Sequence, residues 1–138
     1  MSATLEFDEV YEYNTLKSGI TVPIKLIYVE NQVGFTAKID TGSSHCIFER
    51  KHGQQLQLEI ENGVALNFNT ATGNFHAFGY ELLLSVFGIE TVSIAYFAES
   101  DYFDRNVLGR ISRLDRVKLG LIDQKGKLFL SKYRKNQV

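Results

Sequence analysis

Asp40 stands out by its neighbours. In AKIDTGSSHCIF, Ala37 to Phe48, it ends an apolar stretch and precedes Thr41, Gly42 and Ser43. Ala37, Ile39, Ile47 and Phe48 are expected to be buried, and an ionised carboxylate among them is costly unless it is paired, hydrogen-bonded or used. The flanking residue types suit an acid that is held rigidly. Gly42 admits a backbone conformation closed to other residues and lets a second chain approach closely. Thr41 stiffens the turn and offers a hydroxyl to a neighbour, and Ser43 can hydrogen-bond the carboxylate. One such carboxylate does little hydrolysis. Two at close range cannot both ionise readily, so they share a proton. One then acts as general base on a water while the other polarises a carbonyl. The chain has one Asp-Thr-Gly. A second Asp40 would have to come from a second copy across a two-fold axis.

The bulk composition allows this chemistry and excludes other classes. At 138 residues the chain is expected to form a single domain with a real core. Its 44% apolar and 12% aromatic content is ordinary for a globular protein. A formal net charge of −1 supplies no global field toward nucleic acid or membrane. Cys46 is the single cysteine, so no internal disulfide framework and no multi-cysteine metal site can form. The start, MSATLEFDEV, has no basic segment followed by an apolar run, and nothing approaches the roughly 20 apolar residues of a membrane helix. A cytoplasmic protein with no cofactor is expected.

The elements that must position Asp40 read as mostly β. Ile20 to Glu30 alternates, with Ile20, Val22, Ile24, Leu26 and Tyr28 on one face. Val33 to Ile39 follows a turn at Glu30-Asn31-Gln32, which predicts a hairpin. Glu49 to Gln57 is a short helix or loop interrupted by Gly53, and Asn62-Gly63 marks a turn between strands. Val64 to Thr70 and the run from Asn74 onward pair as a long hairpin with its tip near Thr72-Gly73. Ile89 to Ala98 is the next strand. Ile111 to Arg116 is expected to be a short helix, and VKLGLID, QKG and KLFLSKY a final strand–turn–strand unit. Short strands joined by turns predict an all-β, partly closed barrel with one short helix near the C-terminal part.

Three blocks, in this order, carry a resemblance. They are the apolar strand with Asp-Thr-Gly-Ser (Ala37 to Ser43), the hairpin NTATGNFHAFGYELLL (Asn69 to Leu84) and NVLGR (Asn106 to Arg110). The chain resembles the retropepsin-like aspartic proteases, single-domain homodimeric enzymes, and its small bacterial branch in particular. The resemblance implies an aspartic endopeptidase acting on peptides or proteins. Asp40 would be the catalytic residue, Thr41 would bond across the dimer, and Gly42 would offer its backbone to substrate. Ser43 would hold the outer oxygen of Asp40. Thr70, Ala71, Thr72, Gly73 and Asn74 would form a flap tip that closes over substrate. Val107, Leu108 and Gly109 would support the catalytic loop from below. The sequence departs from the family in two places. Ser44 and His45 replace the acidic residues that pair with the later arginine, so Arg110 needs another partner. The flap tip carries a single glycine, Gly73, which implies a stiffer flap. The first residues and the KLFLSKYRKNQV tail are candidate strands for a dimer sheet.

Other readings compete residue by residue. Asp40 could cap its own turn. The same groove could hold a peptide without cutting it, making a binding or dimerisation module. A strand followed by Asp-x-Gly-Ser also opens the phosphate loop of actin-like ATPases, but those need two lobes and a helical half that this chain lacks. His45 and Cys46 are adjacent on a strand and point to opposite faces, and His52 and His76 have no ligand spacing, so structural roles outweigh a metal site. Cys46 reads as a small buried hydrophobe. The basic end (Lys125, Lys127, Lys132, Arg134, Lys135) reads as solvated, and Arg110, Arg113 and Arg116 as an exposed helix face. Phe75, Phe78, Tyr96, Phe97, Tyr102 and Phe103 are expected mostly in the core, with Phe75 near a pocket under the flap.

Overall fold

The computed structural model describes residues 1–71 and 73–133. Thr72, in the expected flap tip, and Arg134 and Lys135, in the basic tail, lie outside the described residues. The fold is all-β, as the alternation predicts. Its strands are β1 (Glu9–Glu12), β2 (Thr21–Tyr28), β3 (Asn31–Ile39), β4 (Cys46–Phe48), β5 (Val64–Thr70), β6 (Gly73–Val86), β7 (Ile89–Ala98), β8 (Val107–Leu108), β9 (Val117–Ile122) and β10 (Lys127–Lys132). The short helix is α1 (Arg50–Gln55).

The larger sheet runs β2-β3-β8-β4-β7-β6-β5, and β2 pairs back onto β6 through Lys25–Ile27. That last pairing closes a six-stranded barrel, in keeping with the all-β, partly closed barrel expected from the sequence. Closure removes two sheet edges that would otherwise present unpaired backbone groups. Alternation along the strands fills the interior. Val22, Ile24 and Leu26 from β2, Leu82, Leu84 and Val86 from β6, and Ala95 and Phe97 from β7 are all buried. Each large apolar side chain buried in this way contributes about 2 kcal/mol. Ile20 and Tyr28, at the two ends of the β2 face, are half-buried. Of the six aromatics expected mostly in the core, Phe97 is fully buried, while Tyr102 is 95% exposed because it sits on a turn beyond β7.

The C-terminal helix expected over Ile111 to Arg116 is absent. A single 3-10 turn, Leu114–Arg116, stands there instead. Ser112 has a left-handed backbone, φ +69, which breaks any helical run. Arg113 consequently turns inward and is 1% exposed, so the three arginines share no exposed face. Its Nη1 donates to the carbonyls of Leu84 and Ile89 and to Thr91 Oγ1. Burial pushes the Arg113 pKa down to about 10. Asn62-Gly63 likewise follows a 3-10 turn, Ile60–Asn62, rather than a strand.

A second, three-stranded sheet has the order β1-β10-β9. Glu9–Glu12 pair with Lys127–Leu130, and β9 covers the other side of β10. Within the segments expected as dimer-sheet strands, Glu9–Glu12 and Lys127–Lys132 therefore have backbone partners in their own chain, and β1 and β9 are the outer strands of this sheet.

Candidate active site

Asp40 stands one residue beyond β3, where the strand is held from both sides. β8 runs parallel to β3, with Lys38 opposite Val107 and Ile39 opposite Leu108. The same Val107 pairs antiparallel with Ile47 of β4. The short strand β8 thus wedges between β3 and β4, and the loop from Asp40 to His45 has to pass over it. Hydrogen bonds pin the crossing. Asp40 N donates to Leu108 O at 3.0 Å, Arg110 N to Ser43 O at 2.9 Å and Ile111 N to Ser44 O at 2.9 Å. Gly109 lies directly against the loop backbone. A Cβ there would stand 2.2 Å from His45 O, so no side chain fits. Val107, Leu108 and Gly109 therefore lie against the loop.

Asp40 is half-buried as a residue. Its Oδ1 accepts from Gly42 N at 2.9 Å. This is the local turn bond that the capping reading expects, and it also fixes the side chain while engaging just one of the two oxygens. The Ser43 hydroxyl does not reach Asp40. It donates to His45 O at 2.8 Å, locking the far side of the loop. Thr41 and Gly42 are exposed at the loop's outermost point. Arg110 is exposed too, and among the described residues its side chain has no ion-pair partner. It serves the loop through its backbone, accepting from Asp115 N at 2.9 Å.

Asp40 lines a cleft of about 420 Å³. Thr21, Lys38 and Val107 line it too, as does the segment Asp104, Arg105 and Asn106. That segment is anchored from behind. Asn106 Nδ2 donates to Glu49 Oε1 at 2.7 Å, Asn106 Oδ1 accepts from Glu49 N at 3.0 Å, and Asn106 O accepts from Lys38 N at 2.8 Å. Glu49 Oε1 also lies 3.4 Å from His52 Nε2. His52 is buried and stacks on Phe35 with ring centroids 3.7 Å apart. Burial lowers its pKa below the ordinary 6.5. The reading from sequence did not single out Thr21, Lys38, Asp104 or Arg105. Lys38 had a legible signal, lying on the strand that leads into Asp40 and so facing the opposite way from the buried Ala37 and the half-buried Ile39.

The expected flap is the distal part of the β5–β6 hairpin. Thr70 pairs with Gly73 at the end of the ladder, and Ala71 follows Thr70 on a turn. Asn69 pairs with Asn74, and Thr70 Oγ1 donates to Gly73 O at 2.6 Å. Behind the tip, Phe68 stacks on Phe75 at 4.9 Å. Phe68 also meets His45 edge-on at 5.5 Å, and His45 meets Tyr96 at 5.2 Å. Phe75 continues the cluster to Phe103 at 5.0 Å. His45, which follows the Asp40 turn, therefore connects the loop to the hairpin, a link the sequence did not reveal. Burial lowers the His45 pKa. Cys46 is fully buried, and burial pushes its thiol up to about 11, the environment of an inert packing residue rather than a nucleophile.

Among the described residues, no three His, Cys, Asp or Glu side chains come together in a way that could hold a metal ion. No helix among them is long and apolar enough to cross a membrane. Compared with known proteins, the chain matches no protein-family model and no curated protein sequence.

Proposed function

We propose that this protein is an aspartic endopeptidase that works as a homodimer. The observation that carries the reading is the placement of Asp40. It is half-buried and fixed by Gly42 N–H through one oxygen, on an exposed loop that lines a cleft and touches a hairpin. A two-fold axis at the exposed Thr41-Gly42 tip would bring two Asp40 carboxylates together. The pair would share a proton. One would activate a water, and the other would donate to the peptide carbonyl as the water attacks. The tetrahedral species would collapse with proton transfer to the leaving amine. The reaction needs no covalent intermediate and no cofactor. Closure of the β5–β6 hairpin would exclude bulk water and align the chain to be cut. The resemblance in three sequence blocks supports the same reading.

The test is cleavage of a diverse peptide library from acidic to neutral pH, beside Asp40→Asn, with the oligomeric state measured on both proteins. Cutting at defined sites is expected, with a bell-shaped pH profile on the acidic side of neutral and complete loss in Asp40→Asn. Asn can still accept from Gly42 N–H, so the fold should persist. Activity that survives in Asp40→Asn, or a flat pH profile, would sink the proposal. The second reading is a groove that binds peptide without cutting it, favoured by the same cleft and by the turn-capping bond of Asp40. It predicts peptide binding and dimerisation with no cleavage by either protein.

A further inference from the structure

The cleft beside Asp40 carries two cations. Lys38 and Arg105 both line it. Among the described residues neither makes an ion pair. The acids of the lining are Asp40 and Asp104, and two acids beyond it have other partners. Glu49 is engaged by Asn106, Lys51 and His52, and Asp101 lies 4.0 Å from Arg50. The direction of Lys38 is built in. Its stem passes over Gly19, where a Cβ would stand 2.4 Å from Lys38 Cε, and Gly19 has φ +81, a conformation that favours glycine. The backbone that carries both cations is also fixed, because Lys38 N donates to Asn106 O and Asn106 is clamped to Glu49. Asp104 opposes the cations. Under the protease reading Asp40 shares a proton with its copy, which leaves the cations in excess.

We propose that this cleft receives an acidic side chain of the substrate, a Glu or Asp next to the bond presented to Asp40. Lys38 and Arg105 are then specificity-determining residues. The inference deepens the protease reading and takes from it the position of the scissile bond. Recognition of the carboxylate is a separate property and can be measured without cleavage.

The probes are blocked peptides in which a neutral hydroxyethylene bridge replaces the central peptide bond. The residue flanking the bridge is Glu, Gln, Leu or Lys. Binding is measured on the wild-type homodimer by fluorescence anisotropy. The Glu peptide should bind roughly five- to tenfold tighter than its Gln isostere, a preference that shrinks as ionic strength rises. Lys38→Met and Arg105→Met should each reduce the ratio, and the double variant should bring it close to one. Lys38→Glu should turn the preference toward the Lys peptide, a gain that a misfolded protein cannot mimic. Equal binding of Glu and Gln peptides, tighter binding of the Leu peptide, or binding of none of the four overturns the inference. Cleavage of the corresponding natural peptides is scored in parallel. A charge preference in binding without any cutting upholds the cleft and removes the protease reading. Cutting without a charge preference does the reverse.

Discussion

The Asp40 loop and the β5–β6 hairpin meet at His45 and Phe68, yet they are held in different ways. Backbone groups fix the loop. Two strand pairings flank it, three hydrogen bonds from Asp40, Arg110 and Ile111 cross it, and a glycine lies beneath it where no side chain fits. The distal hairpin is a two-stranded ribbon whose free edge is β5, steadied at its base by aromatic side chains. Backbone constraints are short and directional, so they tolerate little displacement. Aromatic contacts can slide and re-form. A rigid acid beside a yielding hairpin suits a site that must hold its reactive group still while a polymer enters and leaves.

The sharpest way to break this comparison is at the two glycines. Gly109→Ala forces a methyl into the His45 carbonyl and should cost about 3–5 kcal/mol in urea unfolding, or prevent folding. Gly73→Ala meets no atom within 4 Å and pays only for its backbone at φ +131, a penalty of about 1–2 kcal/mol. Comparable losses would show that the two regions are equally constrained.

Arg113 comes next in size. It braces the region behind the loop, donating to Leu84, Ile89 and Thr91. Arg113→Ala should cost about 3 kcal/mol by leaving a cavity and unpaired acceptors, whereas Arg113→Met should cost less because it fills the space without burying a charge. A Met variant as weak as the Ala variant would mean that the hydrogen bonds, and not the packing, hold the region.

Phe68→Ala acts on the hairpin side. Global stability should fall by about 1–2 kcal/mol, since the ring is only half-buried. Amide exchange should accelerate along Val64–Thr70 while the amides of Asp40, Arg110 and Ile111 stay protected. Acceleration at both places would show that His45 transmits disorder from hairpin to loop.

The smallest effect concerns pH. Burial lowers the His52 and His45 pKa values below 6.5 in the fold. Between the folded values and 6.5 the unfolded chain binds more protons, so stability rises with pH across that window and falls as pH drops below 6.5. His52→Phe should flatten part of this acid slope in thermal melts taken at several pH values. An unchanged slope would assign the loss to His45 and the carboxylates.

Much of the fold could be read from periodicity. The alternation of Val22, Ile24 and Leu26 marked β2, and the paired runs around Thr72-Gly73 marked the long hairpin, because side chains on a strand face alternate sides whatever it pairs with. Asp-Thr-Gly-Ser marked a tight turn after an apolar strand, since glycine and short polar residues favour turns. The helix expected over Ile111 to Arg116 was misplaced for a related reason. Three arginines at i, i+3 spacing read as a solvated face, but Ser112 adopts a left-handed conformation and Arg113 finds its partners 22 to 29 residues away. Local pattern carries no information about such partners.

By itself the sequence determined an all-β chain, a single Asp-Thr-Gly set between an apolar strand and a glycine turn, and a hairpin further along the chain. These are properties of neighbouring residues. The tertiary structure decided that β2 closes onto β6, that β8 wedges beneath the Asp40 loop, that His45 touches Phe68, and that Lys38 and Arg105 face one cleft with Asp40. Each of these depends on strand register and on contacts between residues far apart in sequence. A one-residue slip in register would send the same side chains to the opposite face, so only the folded chain fixes them.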